Sequence, residues 1–291
     1  MDVVIISVAV VTIVVGLKLI FKVRNQNKRI KGTLDLCEGR ENSFCDIREV
    51  LGTARNTIGI LSISLFGKLG DPTKYDLYVK PALENARELM NPNCPLNGWK
   101  MRIYMAPTTA ESFAPETNTT ILEQFLENDC EVCVMQRDPK DFEASMWRFL
   151  PAGEDIVFIC MDADFKLEQP GLTNFKSFKD SIDSWLCSDK KFYQRALQHI
   201  NIFIPISAGM WGGRGKPIPD IRTRIEKYCA NWFGCDEAFL TKEVYPFFKR
   251  CGVYRVGSHF EVLLLIGIMI GVFAFLNIVA WRISTRFVDK S

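Results

Sequence analysis

Two aspartates one residue apart follow an apolar run that is typical of a buried strand. The run occupies 155–161, and Asp162 and Asp164 come directly after it. Because side chains alternate along a strand, both carboxylates would point to the same side and could share one divalent cation. Mg2+ and Mn2+ prefer oxygen ligands, and a diphosphate would supply the remaining ones. Such a cation neutralises the charge on a leaving nucleoside diphosphate, although the tripeptide alone also fits a solvated turn.

A glycine-rich segment at 209–215 is the second candidate for ligand binding. It contains four glycines and Trp211. Glycines allow a backbone to approach a ligand closely, and an indole offers a flat face to a sugar or a base. A simple turn is the alternative interpretation of this segment.

The hydrophobic pattern indicates which elements would position these residues. Apolar runs bounded by turn residues predict strands at 57–66, 100–105, 130–135, 156–160 and 200–206, and helical spacing predicts helices at 75–90, 118–126, 174–186 and 221–233. Alternating strands and helices are typical of a mostly parallel sheet with helices on its faces. Phosphate ligands of such sheets bind beyond the carboxyl ends of the strands, which is where the fourth strand would deliver the two aspartates.

Charge and hydropathy limit the class of protein. The 291 residues carry 36 Lys and Arg against 34 Asp and Glu, a balance that gives no reason to expect nucleic-acid binding. Val3–Phe21 and Phe260–Trp281 are apolar and long enough to cross a bilayer, which takes roughly 20 residues. The expected organisation is a transmembrane anchor at 1–22, a linker or short stalk helix at 23–56, one α/β domain at 57–256, a transmembrane helix at 260–281 and a tail at 282–291.

The orientation of this two-pass protein is predicted from the charges that flank the first span. Five basic residues follow that span, whereas the free amine and Asp2 precede it, which predicts a cytosolic central domain. The ten cysteines and a glycosylation acceptor triplet at Asn118 favour a lumenal domain instead. Cys130 and Cys133 lie within an apolar run and are expected to pack rather than react. The endoplasmic reticulum, the Golgi and a viral membrane are the candidate locations.

Seven blocks of the sequence, taken together, resemble one known family. In chain order they are Ser62-Ile-Ser-Leu-Phe-Gly67, Asn97-Gly-Trp-Lys-Met-Arg-Ile-Tyr104, Met146-Trp-Arg-Phe-Leu-Pro151, Asp162-Ala-Asp164, Ser184-Trp-Leu-Cys-Ser-Asp-Lys190, Gly209-Met-Trp-Gly212 and Asp236-Glu-Ala-Phe-Leu240. The stretch 57–256 resembles small glycosyltransferase-like proteins of the GT-A fold, the nucleotide-diphospho-sugar transferase type, which are associated with large DNA viruses and microbes. The resemblance implies a single GT-A-like α/β domain, a Mn2+ or Mg2+ cofactor and a nucleotide-diphosphate sugar as donor.

The same resemblance assigns residues to the binding of the donor and its metal. The assigned residues are Arg148, Asp162, Asp164, Gly209, Trp211 and Gly212. Asp162 and Asp164 would be the metal ligands, and Arg148 would lie near the nucleotide phosphates. The segment 209–212, together with Asp236, would also shape the acceptor side.

Two further assignments concern proton transfer and the metal shell. Asp236 and Glu237 are candidates for the carboxylate base that an inverting transfer needs on the acceptor oxygen and a retaining transfer does not. The alternative role of Asp236 is a helix N-cap. Transferases of this fold often complete the metal shell with a histidine near the end of the domain, which makes His259 a candidate ligand. An interfacial histidine beside Phe260 is the alternative, whereas ligation would favour a lipid-linked or membrane-bound acceptor, such as a membrane glycoprotein.

The sequence departs from the family pattern around three of these blocks. Met161 and Phe165 stand where the family has Arg and Ser beside its Asp-x-Asp, and Lys166 or Arg214 could replace the missing guanidinium. An Arg-Asp-His-Pro segment of the family is reduced to Arg195-Ala-Leu-Gln, and the last block has Glu in place of Gln.

These departures leave two hypotheses for the activity. The first is a membrane-anchored, metal-dependent glycosyltransferase that uses a nucleotide-diphosphate sugar. The second is a catalytically inactive glycosyltransferase fold that acts as a membrane-tethered scaffold or a virion-assembly protein.

Overall fold

The computed structural model describes residues 44–53, 57–115, 117–140, 142–168, 175–195, 206, 208–228 and 234–256. Both predicted transmembrane segments, His259 and all but the last residue of the strand predicted at 200–206 lie outside these ranges. Among the residues that are described, no helix has the length and the apolar character needed to cross a membrane.

A central eight-stranded sheet organises the described part of the chain. Its strands are β1 (Ile47–Leu51), β2 (Gly59–Leu65), β3 (Trp99–Met105), β4 (Glu131–Met135), β5 (Phe158–Met161), β6 (Phe192–Arg195), β7 (Met210–Gly213) and β8 (Val253–Val256). Their spatial order is β1-β4-β3-β2-β5-β7-β6-β8. β2, β3, β4 and β5 are parallel, β1 and β7 run against their neighbours, and β8 is parallel to β6. The fold is therefore mixed α/β, and the predicted parallel direction predominates.

Helices cover both faces of the sheet. They are α1, which comprises Pro72–Lys74, a π-helical turn at Tyr75–Val79 and Lys80–Met90; α2 (Pro107–Ala110); α3 (Ile121–Glu127); a 3-10 helix (Glu143–Gly153); α4 (Phe175–Leu186); α5 (Ile221–Lys227); and α6, which comprises Cys235–Phe239, a π-helical turn at Leu240–Val244 and Tyr245–Cys251. The first face of the sheet packs against α1, α3 and α4. The second face packs against the 3-10 helix, α5 and α6.

Both π-helical turns end two residues before a proline. Pro81 follows the turn in α1, and Pro246 follows the turn in α6. A proline inside a helix cannot donate a backbone hydrogen bond, and its ring collides with the carbonyl four residues earlier. Those carbonyls belong to Leu77 and Lys242, which lie within the two widened turns. The wider turn therefore lets each helix continue past its proline.

The predicted elements between 57 and 186 are present, with shifted ends, but three strands differ from the prediction. β1 lies within the predicted linker at 23–56, and its three consecutive exposed residues, Arg48, Glu49 and Val50, break the alternation that would indicate a strand. β6 was not predicted because it is only four residues long. Most of the glycine-rich segment at 209–215, for which ligand binding and a simple turn were the two interpretations, forms β7 instead. The folded unit therefore begins before residue 57.

The 3-10 helix is fixed to the sheet through the backbone of Arg148. A 3-10 helix of 11 residues is unusually long, because its hydrogen bonds are poorer than those of an α-helix. Two buried serines of β2 support it: Ser64 Oγ accepts the Arg148 N–H at 2.9 Å, and Ser62 Oγ donates to the Arg148 carbonyl at 2.8 Å. Trp147 Nε1 also donates to the carbonyl of Phe44 at 2.9 Å. The two polar side chains in an otherwise apolar strand thus determine where the arginine lies.

Removing one of these serines tests the support. Ser64→Ala leaves the buried N–H of Arg148 without an acceptor, which costs about 1–3 kcal/mol. In a domain of this size each kcal/mol shifts the melting temperature by about 2–4 °C, so we expect a loss of several degrees. The measurement is thermal unfolding of the full-length protein in detergent, followed by tryptophan fluorescence.

Ser184→Ala is the matched control for this measurement. Ser184 is exposed on α4, and its hydroxyl donates to the carbonyl of Asp180 one turn earlier. We expect this variant to melt close to wild type. Equal melting temperatures for the two serine variants would contradict the supporting role of Ser64.

Candidate functional site

The site lies where the strand order reverses. The chain passes from β2 to β3 and β4 on one side, and then crosses to β5 on the other side of β2. A reversal of this kind leaves a crevice outside the carboxyl ends of the two central strands, which is where open α/β sheets bind their ligands. β5 ends at Met161, so Asp162 and Asp164 follow it at this crevice. The structure thus places both aspartates at the predicted edge of the sheet.

Arg148 connects two carboxylates at this crevice. Its Nη1 lies 2.8 Å from Asp162 Oδ1, and its Nη2 lies 2.9 Å from Asp236 Oδ2. The side chain of Arg148 is only 8% exposed, against 15% for Asp236 and 41% for Asp162. Burial alone would lower the pKa of Arg148, but the charges of Asp162 and Asp236 raise it. The guanidinium therefore remains a buried cation that is shared by two anions.

Two further contacts complete the surroundings of this arginine. Cys160 on β5 donates its thiol to the Arg148 carbonyl at 3.0 Å, and burial raises the pKa of that thiol. The guanidinium lies 5.2 Å from the ring centre of Phe149. Its buried Nε has no hydrogen-bond partner among the described residues. The Nε–H of this guanidinium is thus a hydrogen-bond donor without an acceptor among the described residues.

The surroundings of Asp164 disfavour its negative charge, which a bound cation would stabilise. The residue is exposed overall, yet partial desolvation of its carboxyl group, and then the charge of Asp162, raise its pKa. Mg2+ in nucleotide sites takes one or two carboxylates and leaves its other positions to phosphates and water. In the described ranges no group of three or more His, Cys, Asp and Glu could hold a metal. A cation at this pair would therefore need further ligands from a bound molecule or from water.

Asp236 lies in the first turn of α6 but does not cap it. Gly234 occupies the N-cap position with a φ of 82°, a left-handed conformation that glycine adopts without strain. The N-cap alternative for Asp236 is therefore wrong. Its Oδ1 accepts the N–H of Glu237 at 2.9 Å, while its Oδ2 accepts from Arg148. A carboxylate offers about four acceptor positions, so Asp236 retains capacity for a further proton donor.

Trp211 belongs to the core and not to a ligand-binding surface. The indole is 0% exposed, and its ring centre lies 5.5 Å from that of Phe149, 5.6 Å from Phe158 and 5.9 Å from Phe248. The prediction that it offers a face to a sugar or a base is wrong, because β7 turns this side chain under the 3-10 helix.

The glycines around Trp211 serve strand packing. A Cβ on Gly212 would lie 2.2 Å from the carbonyl oxygen of Phe158, so only glycine allows β5 and β7 to approach this closely. Donor binding is therefore not the reason for Gly212. Gly209 precedes β7 at the carboxyl end of β5, beside the pair formed by Met161 and Met210. Of the three predicted donor residues in this segment, Gly209 is the one at the edge of the site.

The two basic residues suggested as replacements for the missing guanidinium lie in different places. Arg214 follows β7 at the opposite edge of the sheet, and its Nη1 donates to the carbonyl of Leu186 at 2.7 Å. It cannot contact a phosphate beside the aspartates, and this part of the prediction is wrong. Lys166 lies just beyond Asp164 and pairs with Glu84 at 2.6 Å.

Asn85 is a residue of the site that the sequence analysis missed. It is buried in α1, and its Nδ2 donates to the carbonyl of Phe165 at 2.7 Å while its Oδ1 accepts the N–H of Leu167 at 3.0 Å. The side chain therefore fixes the loop that follows Asp164. An asparagine on the apolar face of a predicted helix was the available signal.

Comparison with known proteins gives no family for this chain. No family model matches it, and no curated protein matches it. Among solved structures, it is similar to a mannosyltransferase from Pyrobaculum calidifontis in complex with GDP-Man and Mn2+, at 8% identity and a TM-score of 0.43. That match covers 72% of this chain and 57% of the mannosyltransferase, so the chain spans little more than half of its length.

Two other solved structures are similar to this chain at comparable levels. The apo form of the glycosyltransferase GlyE from Streptococcus pneumoniae is 14% identical with a TM-score of 0.38, over 69% of this chain and 45% of that one. A 4-diphosphocytidyl-2C-methyl-D-erythritol synthase from Anaerococcus prevotii is 12% identical with a TM-score of 0.39, over 69% and 87%. Likenesses this weak establish no activity, which must be inferred from the residues of the site.

The core position of Trp211 leads to a testable expectation. Trp211→Ala removes a fully buried indole and is expected to cost about 3–5 kcal/mol of stability, because the aromatic cluster cannot collapse into the cavity. Thermal unfolding of the full-length protein in detergent measures the loss. Phe113→Ala is the control, because Phe113 is an exposed aromatic residue and should change stability little. A Trp211→Ala variant that melts like wild type would show that the indole does not support the core.

Proposed function

We propose that this protein is a metal-dependent glycosyltransferase that takes its sugar from a nucleotide-diphosphate donor. The observation that carries the proposal is the ion-pair chain Asp162–Arg148–Asp236, centred on a buried guanidinium and adjacent to Asp164, at the crevice between β2 and β5. A buried cation and two carboxylates at a phosphate-binding edge suit a diphosphate with its divalent cation. The order of the seven sequence blocks supports the same chemistry.

Each residue of the site has a distinct task in this proposal. Asp162 and Asp164 would hold Mn2+ or Mg2+, which, when bound, neutralises the charge on the leaving diphosphate. Arg148 orients Asp162 through Nη1 and keeps a positive charge beside the phosphates. Asn85 fixes the loop after Asp164. The metal pair is thus held from both sides by groups that are themselves buried.

The acceptor side would involve the first turn of α6. Asp236 is the candidate to receive the proton of an acceptor hydroxyl, and Arg148 holds it in place. Glu237 follows it in the same turn and remains the second candidate. The stereochemistry of transfer decides whether this base is needed, since a retaining transfer proceeds without it.

We further propose that two membrane spans anchor the enzyme and that its central domain lies in the cytosol. The support is the pair of apolar stretches and the basic residues after the first of them. The described cysteines agree with a reducing compartment, since all eight are free thiols. Burial raises the pKa of Cys130 and of Cys133 to about 12, which keeps both protonated and unreactive.

Asp164→Asn separates a ligand-binding role from a structural one. The fold raises the pKa of Asp164, so the ionised carboxylate destabilises the folded state at pH values above the usual aspartate pKa. Replacing this carboxylate by the neutral amide of asparagine should therefore leave the melting temperature unchanged or raise it. The same change should abolish the stabilisation that Mn2+ and a nucleotide sugar give to wild type. At a ligand concentration 100 times Kd that stabilisation amounts to about 2.7 kcal/mol. Thermal shifts with a panel of UDP and GDP sugars, with Mn2+ or with chelator, measure both effects.

Asp155→Asn is the matched control for this experiment. Asp155 is exposed at the amino end of β5, on the opposite edge of the sheet. It should retain the full metal-dependent shift. Persistence of the shift in Asp164→Asn, or in wild type with excess chelator, would contradict the assignment of the metal. A wild type that responds to none of the donors would support the inactive scaffold instead.

The orientation in the membrane can be tested at Asn118. This residue is exposed in the structure and carries an acceptor triplet, so a lumenal domain would present it to the glycosylation machinery. We expect Asn118 to remain unmodified in microsomes. As the positive control, an acceptor triplet attached beyond Ser291 through a spacer should be modified, because both termini would be lumenal. Glycosylation of Asn118 itself would reverse the proposed topology.

A further inference from the structure

The described sheet connects to both predicted spans from the edge that carries the site. β1 runs against β4, and its first residue, Ile47, pairs with Met135 at the carboxyl end of β4. β8 runs parallel to β6, and its last residue, Val256, pairs with Arg195 at the carboxyl end of β6. β1 and β8 are the two outermost strands of the sheet. The chain therefore enters and leaves this sheet at opposite ends of one edge.

Val256 of β8 lies in the same row of the sheet as Met161, the residue of β5 that precedes Asp162. Met161 pairs with Met210, and Trp211 pairs with Gln194, so the next row contains Arg195 and its partner Val256. Three strand intervals separate β5 from β8, which amounts to about 14 Å at the usual strand spacing. The exit toward the second span is thus level with the site and close to it.

The connection to the second span is short. Phe260, the first residue of the apolar stretch, comes four positions after Val256, so their Cα atoms are at most about 14 Å apart. The polar layer on each side of a bilayer core is only about 5–8 Å thick. A span that begins at Phe260 therefore draws the carboxyl end of β8 toward the lipid headgroups. The amino end of the seven-residue β2 lies about 20 Å farther along the strand direction.

The most exposed large apolar side chain in the described ranges lies on the same edge. Phe113 is 63% exposed and lies between α2 and α3, in the connection that leads from the carboxyl end of β3 toward β4. An exposed phenylalanine ring is apolar and can be buried at the boundary between headgroups and acyl chains, as Trp, Phe and Leu are in segments that lie on a membrane. An exposed phenylalanine between the two chain exits fits a surface that faces lipid.

We infer that the carboxyl edge of the sheet faces the bilayer and that the site takes an acceptor hydroxyl carried by a membrane lipid. This inference rests on the proposed function for its chemistry and on the two predicted spans for its orientation. The positions of Ile47, Val256 and Phe113 give the orientation independently of any metal ligand. With that edge against the headgroups, a lipid hydroxyl reaches the crevice without leaving the membrane surface.

The transfer uses the proposed nucleotide-diphosphate sugar and needs no further reactant besides the acceptor hydroxyl. The acceptor oxygen forms a bond to the anomeric carbon of the sugar. The bond from that carbon to the diphosphate breaks, and its electron pair leaves with the nucleoside diphosphate. The acceptor hydroxyl gives its proton to a carboxylate at the same edge, for which Asp236 is the candidate.

Photo-crosslinking tests the orientation. The full-length protein is placed in vesicles of phosphatidylcholine and phosphatidylserine, with p-benzoylphenylalanine in place of either Phe113 or Met90. Met90 is the matched reference, because it is also exposed and apolar but ends α1 at the opposite edge. We expect several-fold more lipid adduct from position 113 than from position 90. Equal yields, or a larger yield from position 90, overturn the orientation.

The class of acceptor is tested with labelled donors. Full-length protein in vesicles of the total lipid extract of its expression host receives radiolabelled UDP and GDP sugars with Mn2+. Label in the chloroform–methanol phase, lost in Asp164→Asn, supports a lipid acceptor. Label in the protein pellet or in water-soluble product overturns it, and so does the absence of product with a donor that binds.

A separate measurement of donor binding distinguishes a failure of the orientation from a failure of the proposed function. Donor binding is measured by the metal-dependent thermal shift, which needs no acceptor and no membrane. Loss of that shift with normal crosslinking from position 113 would overturn the glycosyltransferase but retain the orientation. A normal thermal shift without preferential crosslinking from position 113 would retain the glycosyltransferase and overturn the orientation.

Discussion

The buried guanidinium of Arg148 is the constraint on which the site depends. A charge taken out of water costs several kcal/mol unless anions and hydrogen bonds surround it, and removing one partner of such a group typically costs 3–5 kcal/mol. This requirement brings together segments that are far apart in sequence. Asp162 follows β5, Asp236 begins α6, and both must reach one side chain on the 3-10 helix. The geometry of the candidate site and the stability of the fold therefore depend on the same ion pairs.

The backbone of the same arginine is held as firmly as its side chain. Ser62 and Ser64 point from an otherwise apolar strand toward the 3-10 helix and satisfy both its N–H and its carbonyl. Two hydroxyls in a core would be costly if unpaired, but here each has a partner. Four of the seven sequence blocks thus meet at one residue. Their joint occurrence in the sequence has a structural reason in this contact.

The sequence predicted best where one local pattern determined the element. β2 to β5 are predominantly apolar runs bounded by turn residues, and the edge position of Asp162 and Asp164 follows from where β5 ends. Patterns with two physical causes were harder to interpret. A glycine permits a turn or a close strand contact, and Gly212 proved to be the second case. The pairing of Arg148 with Asp236 spans 88 residues, and no local periodicity encodes such a contact.

The long separations at this site also affect how the protein forms. The hydrogen bond between Arg148 and Ser64 spans 84 residues, and the ion pair to Asp236 adds another 88. Contacts between distant residues form late, because the loop between them must first be closed. During synthesis the arginine emerges well before Asp236 does. Until α6 has been synthesised, Asp162 is the one carboxylate of the two that Arg148 can contact, so the complete ion-pair chain forms only after residue 236 has been made.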